Sequence, residues 1–204
     1  MHIAIEIDRR TALHGIMALL GATAVAGCGY VPGSDARATL DEGQLKLLDL
    51  VADTIIPQTD TPGAAEAGVP KRLAAMYTDW ASDETRKALS GALDRIGKAA
   101  RAATGKDFAA LSPDERLAFL RDHEAAAFKP VPPKPGAPKG TFIAPVVSVA
   151  DVGYHTLKQL IVGLYFSSEI GLTQELIYEH VPGPWQPSIP ITPGMRPFAT
   201  LGPF

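Results

Sequence analysis

The side chains that most often perform catalysis are few and scattered in this chain. Beyond residue 28 only His123, His155 and His180 occur as histidines, in separate segments and without the four-residue spacing that places two imidazoles on one helix face. Glu175 and Glu179 stand four residues apart, and paired carboxylates support acid–base catalysis when a pocket raises one pKa. On a single helical turn the simpler interpretation is two solvated glutamates. The chain therefore shows no enzyme signature of its own, and a zinc site is not favoured.

Sequence signatures of bound cofactors are also missing. No G-x-G-x-x-G follows a strand-like segment, as a dinucleotide fingerprint requires, and no C-x-x-C-H is present for covalent haem. The G-x-S-x-G and phosphate-loop patterns are absent too. We therefore predict that this chain binds no cofactor. Because its net charge is −3 and no basic face is evident, we also predict no binding to nucleic acid.

A transport signal is encoded near the N-terminus. Arg9 and Arg10 are adjacent, Leu13 follows the second arginine by three positions, and residues 15–26 are apolar and rich in glycine and alanine. Paired arginines before such a weakly hydrophobic stretch are typical of a twin-arginine (Tat) signal peptide, which exports folded proteins. A buried N-terminal helix is the alternative, but the stretch lacks the polar face that a surface helix needs. We predict a signal peptide over residues 1–27 that the Tat translocase recognises.

The only cysteine, Cys28, follows Val25-Ala26-Gly27. Small residues before a cysteine are the pattern that precedes a lipid-modified cysteine in bacterial lipoproteins, and several acyl chains would anchor the protein stably. A coincidental cysteine beside an ordinary signal-peptidase site is the alternative. A single cysteine forms no internal disulfide. We predict a periplasmic protein that is attached to the membrane through lipid on Cys28.

Hydrophobic residues spaced three and four apart predict an all-α fold for the rest of the chain. In the first helical segment, which Pro57 ends, the expected core face is formed by Leu45, Leu48, Ala52 and Ile55. The other predicted segments share this spacing. The second spans 64–80 with a break near Gly68-Val69-Pro70, and the third runs along Leu89, Leu93, Ile96 and Ala100 to about Gly105. The fourth runs from Ser112 to about Phe128, and the last contains Val152, Leu157, Leu160, Ile161, Leu164 and Tyr165.

Prolines and capping residues predict the connections between these helices. Ser112 and Glu115 form a capping box around Pro113, which suits the first helical position. Residues 129–140 contain repeated prolines and predict an extended surface loop. We expect the proline-rich tail, 186–204, to become ordered only against a partner, because burying its few apolar side chains does not offset its loss of entropy. The predicted organisation is a signal peptide (1–27), a tether (28–39), a helical domain (40–185) and the tail (186–204).

Two separated blocks give the chain a family resemblance. The first comprises residues 52–57 (ADTIIP), 61–64 (TPGA) and 66–70 (EAGVP). The second comprises residues 167–176 (SSEIGLTQEL) and 178–183 (YEHVPG), with Leu111-Ser112-Pro113 between the blocks. With these motifs in this order, the sequence resembles the gluconate 2-dehydrogenase subunit 3 family over about residues 40–187.

This resemblance implies a small, non-catalytic subunit of an oxidoreductase complex. Such subunits accompany a large flavoprotein of the glucose-methanol-choline oxidoreductase type, which holds FAD and oxidises gluconate, another sugar or a glycoside. A multihaem cytochrome c often accepts the electrons on its haem c groups. The small subunit can carry the Tat signal for a catalytic partner that has none. The resemblance transfers no catalytic residues to this chain.

We expect the second block and the tail to form the interface with that partner. The candidate interface residues are Glu169, Gln174, Glu175, Tyr178, His180, Trp185, Phe198 and Phe204. The alternative is internal packing, in which Glu169, Gln174 and His180 satisfy backbone groups at helix ends. Two other functions stay open at this point: a stand-alone periplasmic lipoprotein that acts as a binding module, and an enzyme in its own right.

Overall fold

The predicted helices are present in the computed structural model of the protein, which describes residues 38–133, 136, 148–179, 183–184 and 187–199. In chain order they are α1 (Glu42–Ile55), α2 (Val69–Asp79), α3 (Asp83–Thr104), a 3-10 turn (Phe108–Ala110), α4 (Pro113–Ala127), α5 (Val152–Phe166) and a π-helix (Gly171–Glu175). The described residues contain no β-strand. The prediction of an all-α fold is therefore confirmed.

Local capping contacts set where these helices begin and end. The Ser112 hydroxyl accepts a hydrogen bond from the Glu115 amide at 3.3 Å, and the Glu115 carboxylate accepts one from the Ser112 amide at 2.8 Å. This confirms the predicted capping box of α4. At the start of α5, the Asp151 carboxylate accepts from the Tyr154 amide at 2.9 Å. Helix α3 ends at Gly105, whose φ of 71° is the left-handed conformation that favours glycine at this position.

The core lies where α5 packs against α2, α3 and α4. Leu157 and Ile161 of α5 are fully buried, as are Leu93 and Ile96 of α3. Burying an aliphatic side chain of this kind contributes roughly 1.5–3 kcal/mol. The α5 helix is thus central, as its apolar sequence predicts.

Two residues predicted on core faces lie at their edges instead. Leu45 is 38% exposed, because the buried face of α1 is centred on Leu48, Val51 and Ala52 and leaves Leu45 at its margin. Val152 is 55% exposed, because it is the first residue of α5 and lies at the start of the packed length. The hydrophobic spacing identified each helix but not the limits of its buried face.

The predicted loop over 129–140 is exposed in its described part. Its first residues are held by backbone pairing: the Val131 amide donates to the Ser148 carbonyl at 3.1 Å, and the Ala150 amide donates to the Lys129 carbonyl at 3.0 Å. These bonds surround an isolated antiparallel bridge rather than a sheet, which suits a proline-rich segment that lacks amide donors.

The residues of the predicted export signal lie outside the described part of the chain. These are Arg9, Arg10, Leu13 and Cys28, together with the tether as far as residue 37. Within the described ranges, no helix is long and apolar enough to span a membrane.

Candidate partner-binding surface

Two segments that are far apart in the sequence meet at the C-terminal end of α5: the turn after α1 and the segment that contains the π-helix. The Tyr165 hydroxyl donates a hydrogen bond to the Pro62 carbonyl at 2.8 Å. The Thr61 hydroxyl donates one to the Glu175 carboxylate at 2.6 Å. The two sequence blocks that carry the family resemblance are therefore joined directly.

The burial of Thr61 shields its hydrogen bond to Glu175 from water. Thr61 is only 5% exposed, and Glu175 is half-buried. A hydroxyl that donates to a carboxylate at this distance forms a short, charge-assisted hydrogen bond, which is stronger than a neutral one. Burial raises the pKa of the nearby Tyr165 hydroxyl, so that this group stays protonated and continues to donate. The junction is thus held by directional contacts.

Close backbone approaches in the same junction require glycine at two positions. A Cβ atom on Gly63 would lie 2.7 Å from the Gln58 amide nitrogen and 2.8 Å from the Ile56 carbonyl oxygen. A Cβ atom on Gly171 would overlap the Tyr165 carbonyl group. Because backbone atoms cannot move aside as a flexible side chain can, a larger residue would distort the turn after α1 at position 63 and the connection from α5 to the π-helix at position 171.

The backbone groups at the end of α5 are satisfied by Ser168. This residue is buried, and its hydroxyl donates to the Tyr165 carbonyl at 2.6 Å and accepts from the Gly171 amide at 3.0 Å. The internal-packing alternative assigned such a role to Glu169 and Gln174, but both are exposed. Sequence reasoning missed Ser168, although a serine at a helix end three residues before a glycine is a recognisable capping signal.

Part of the tail pairs with the segment after the π-helix. The Ile177 amide donates to the Pro197 carbonyl at 2.9 Å, and the Ala199 amide donates to the Ile177 carbonyl at 2.8 Å. Arg196 also forms an ion pair with Asp60 of the turn after α1, at 2.9 Å. These contacts lie within the chain itself, whereas the expectation that a partner orders the tail considered only the burial of side chains.

This pairing places aromatic side chains at the surface beside the junction. Ile177 and Phe198 form a parallel bridge, Phe198 is 40% exposed, and Tyr178, next to Ile177, is 41% exposed. We call the surface formed by Glu169, Gln174, Glu175, Tyr178 and Phe198 the α5 C-terminal surface. The other predicted interface residues, His180, Trp185 and Phe204, lie outside the described part of the chain.

The arrangement of the two glutamates does not create an acid–base pair. Glu175 ends the π-helix and accepts the hydrogen bond from Thr61, so it is not the solvated glutamate that we predicted. Glu179 is exposed and lies beyond that helix. The two carboxylates therefore share no helix face.

The described histidines lie apart from this surface. His123 packs between Phe119 and Tyr154, with ring centroids 5.7 and 5.0 Å away. Its buried Nε2 atom has no hydrogen-bond partner, and burial lowers its pKa. His155 packs edge-on against Phe128. Among the described residues, no group of three or more histidine, cysteine, aspartate and glutamate side chains could hold a metal ion.

Comparison with known proteins adds one finding to this geometry. The family model described as Gluconate 2-dehydrogenase subunit 3 matches residues 42–183. The match begins with α1 and extends past the π-helix, so it includes both segments of the junction. No curated protein and no solved structure gives a significant match to the chain.

Proposed function

The chain belongs to the gluconate 2-dehydrogenase subunit 3 family, and from this premise we propose that it is the non-catalytic small subunit of a periplasmic, FAD-dependent dehydrogenase. The family match carries this proposal, because a subunit of a dehydrogenase complex implies a catalytic partner. In our proposal that partner is a flavoprotein of the glucose-methanol-choline type that oxidises gluconate, another sugar or a glycoside. A cytochrome c subunit receives the electrons.

We further propose that the chain exports its partner. A flavoprotein folds around FAD in the cytoplasm and must therefore cross the membrane by a route that accepts folded cargo. Arg9 and Arg10 supply a signal for such a route, whereas the sequence shows no cofactor motif that would require it for this chain alone. The signal then serves a complex that assembles before transport, and lipid on Cys28 anchors that complex afterwards.

The α5 C-terminal surface is the docking site in this proposal. Exposed aromatic side chains on a well-held support are typical anchors of protein interfaces. Tyr178 and Phe198 are such side chains. The contact of Thr61 with Glu175 holds the segment before Tyr178, and backbone pairing with Ile177 holds the tail around Phe198. We therefore assign partner binding to this surface.

Fractionation of a native-host strain tests the export function. Replacing Arg9→Lys and Arg10→Lys keeps both charges but removes the planar guanidinium groups that bind bidentately. We expect this double variant to retain both subunits in the cytoplasm, assembled and with flavin bound. A catalytic subunit that still reaches the periplasm would contradict export by this chain.

The variant Cys28→Ala is the matched control, because it leaves the arginine pair intact. We expect it to reach the periplasm and to release an active complex from the membrane into the periplasmic fraction. Unchanged membrane attachment would contradict anchoring through Cys28. Isolation of the native protein without any flavoprotein would instead favour a stand-alone binding lipoprotein.

A further inference from the structure

A second surface feature lies between α4 and α5. A groove with a volume of about 500 Å³ runs between these helices and the C-terminal end of α1. This volume falls in the range of roughly 300–1,000 Å³ that is usual for ligand sites. Its apolar walls are partly exposed and comprise Ile55, Ile56, Leu117, Phe128, Val162 and Phe166.

The groove also contains charged groups, and one of them is unbalanced. Lys158 Nζ lies 2.6 Å from both carboxylate oxygens of Glu124, and the two side chains are 28% and 31% exposed. Tyr154 donates a further hydrogen bond to Glu124 at 3.3 Å. Arg121 is exposed in the same lining and forms no ion pair with any described residue. The groove therefore carries a net positive charge at Arg121.

The groove adjoins the α5 C-terminal surface. Ile56, at one end of its lining, accepts a hydrogen bond through its carbonyl from the Ala64 amide at 2.9 Å, within the turn that Thr61 joins to Glu175. Phe166, also in its lining, packs edge-on against Tyr165 with ring centroids 5.3 Å apart. The groove and the α5 C-terminal surface are therefore connected through the turn after α1 and the end of α5.

We propose that this groove receives an apolar segment of the catalytic subunit that presents a carboxylate to Arg121. The inference rests on the proposed function, since it requires that partner. The groove is then a second region of contact with the catalytic subunit, formed by α1, α4 and α5, and the segment that it receives is apolar and acidic. The apolar side chains of that segment cover the walls, and its carboxylate forms a forked pair with the guanidinium group.

The ion pair in the groove favours a polypeptide over a lipid chain as the occupant. Covering Lys158 and Glu124 with hydrocarbon alone would remove water from both charges and replace it with no hydrogen bond. A polypeptide segment brings amide and carbonyl groups that compensate for this loss. The unpaired charge of Arg121 selects an acidic segment rather than a neutral or basic one.

Site-specific photo-crosslinking in the assembled complex tests the groove. A photoreactive residue replaces Leu117, which lines the groove, or Leu45, which is equally exposed at 38% but lies on α1 outside the groove lining. We expect irradiation of the complex purified from its native host to crosslink position 117 to the catalytic subunit. Position 45 should give about a tenth of that yield or less, because crosslinking requires a packed interface.

The crosslinked product, identified by mass spectrometry, decides between occupants. A peptide of the catalytic subunit with an acidic residue near the site of attachment supports the proposal. Attachment only to lipid or to a second copy of this chain overturns it. A native complex in which position 117 forms no crosslink overturns the groove proposal alone, whereas failure to isolate any complex overturns the proposed function as well.

Charge reversal provides an independent measurement on the same complex. We expect Arg121→Glu to weaken the binding of the catalytic subunit about tenfold, because it replaces an attraction between opposite charges with a repulsion. Arg121→Lys should bind more tightly than Arg121→Glu but less tightly than the wild-type chain, because lysine keeps the positive charge without the forked guanidinium geometry. The control Arg72→Glu reverses an exposed arginine of α2 that does not line the groove. Equal losses in the Arg121→Glu and Arg72→Glu variants would overturn the role of Arg121.

Discussion

The two ends of α5 are held by different kinds of contact. At the N-terminal end, Asp151 caps the helix and forms a bidentate ion pair with Arg95 of α3 at 2.6 and 2.7 Å. The first turn of α5 lies so close to α3 that a Cβ atom on Gly153 would be 2.5 Å from the Ala88 carbonyl oxygen. Charge pairing and close packing thus fix this end within the helical core.

At the C-terminal end, the Tyr165 hydroxyl binds the Pro62 carbonyl in the turn after α1, and the π-helix segment follows. Hydrogen bonds from Thr61 to Glu175 and from the backbone of Ile177 to the tail hold these segments. Tyr178 and Phe198 remain exposed beside them. One end of the helix is thus fixed within the core, whereas the other supports the exposed side chains to which we assign partner binding in our proposal.

The largest change in stability is expected from Gly153→Ala. Its new methyl group meets backbone atoms of α3, so the two helices must separate, at a cost of about 3 kcal/mol in the free energy of unfolding. Urea denaturation of the purified chain measures this cost. Gly163→Ala in the same helix is the matched control: nothing lies within 4 Å of the added atom, and we expect a gain of up to about 1 kcal/mol. Equal effects would contradict a close contact at residue 153.

Removal of the Asp151 charge should have the next largest effect. Asn can still cap a helix, so Asp151→Asn mainly removes the ion pair with Arg95, and we expect a loss of about 1–2 kcal/mol at pH 7. Burial raises the pKa of Asp151, but the hydrogen bonds from Arg95 and the Tyr154 amide outweigh this effect and lower the pKa below its ordinary value of 3.8.

The sign of this pKa shift predicts how the difference depends on pH. Because the folded state holds the Asp151 proton less tightly than the unfolded chain, its carboxylate stabilises the fold above about pH 4 and loses this contribution as the pH falls further. The difference between the wild-type chain and Asp151→Asn should therefore shrink below about pH 4. Urea denaturation at pH 7 and pH 3 measures it, and a difference that stays constant would refute the assignment.

A smaller loss of stability is expected at the other end of the helix. Thr61→Val keeps the shape of the side chain but leaves the Glu175 carboxylate without its donor, which costs about 1 kcal/mol. Affinity for the catalytic subunit should fall as well, since the π-helix segment loses its link to the turn. Thr61→Ser, which retains the hydroxyl, should preserve both properties in thermal denaturation and pull-down assays. Loss of stability without loss of affinity would break the proposed link between this junction and binding.

The smallest effect on stability should accompany a clear effect on binding. Gln174 is exposed on the α5 C-terminal surface, so Gln174→Trp should change the free energy of unfolding by less than about 0.5 kcal/mol. The added ring would hold the partner away and weaken binding about tenfold. Gln159→Trp, at an exposed position in the middle of α5, is the control. Full binding by the Gln174→Trp variant would show that the partner lies elsewhere.

The helices and several of their ends follow from local sequence features. Ser112 with Glu115 marked the start of α4, Gly105 marked the end of α3, and hydrophobic spacing identified α5 as the central helix. These features could be predicted because caps, glycine conformations and helical periodicity depend on residues within one or two turns of each other. The blocks at 52–70 and 167–183 likewise indicated the family, since their residues and their order along the chain belong to the sequence alone.

The way in which those blocks meet depends instead on the complete fold. Thr61 and Glu175 are 114 residues apart, and no local pattern indicates that a hydroxyl in a turn binds a carboxylate in a π-helix. The same holds for the tail at Ile177 and for the groove at Arg121. Such contacts depend on how the packing of α5 positions distant segments, because hydrogen bonds and buried surface form only between groups that the complete fold brings together.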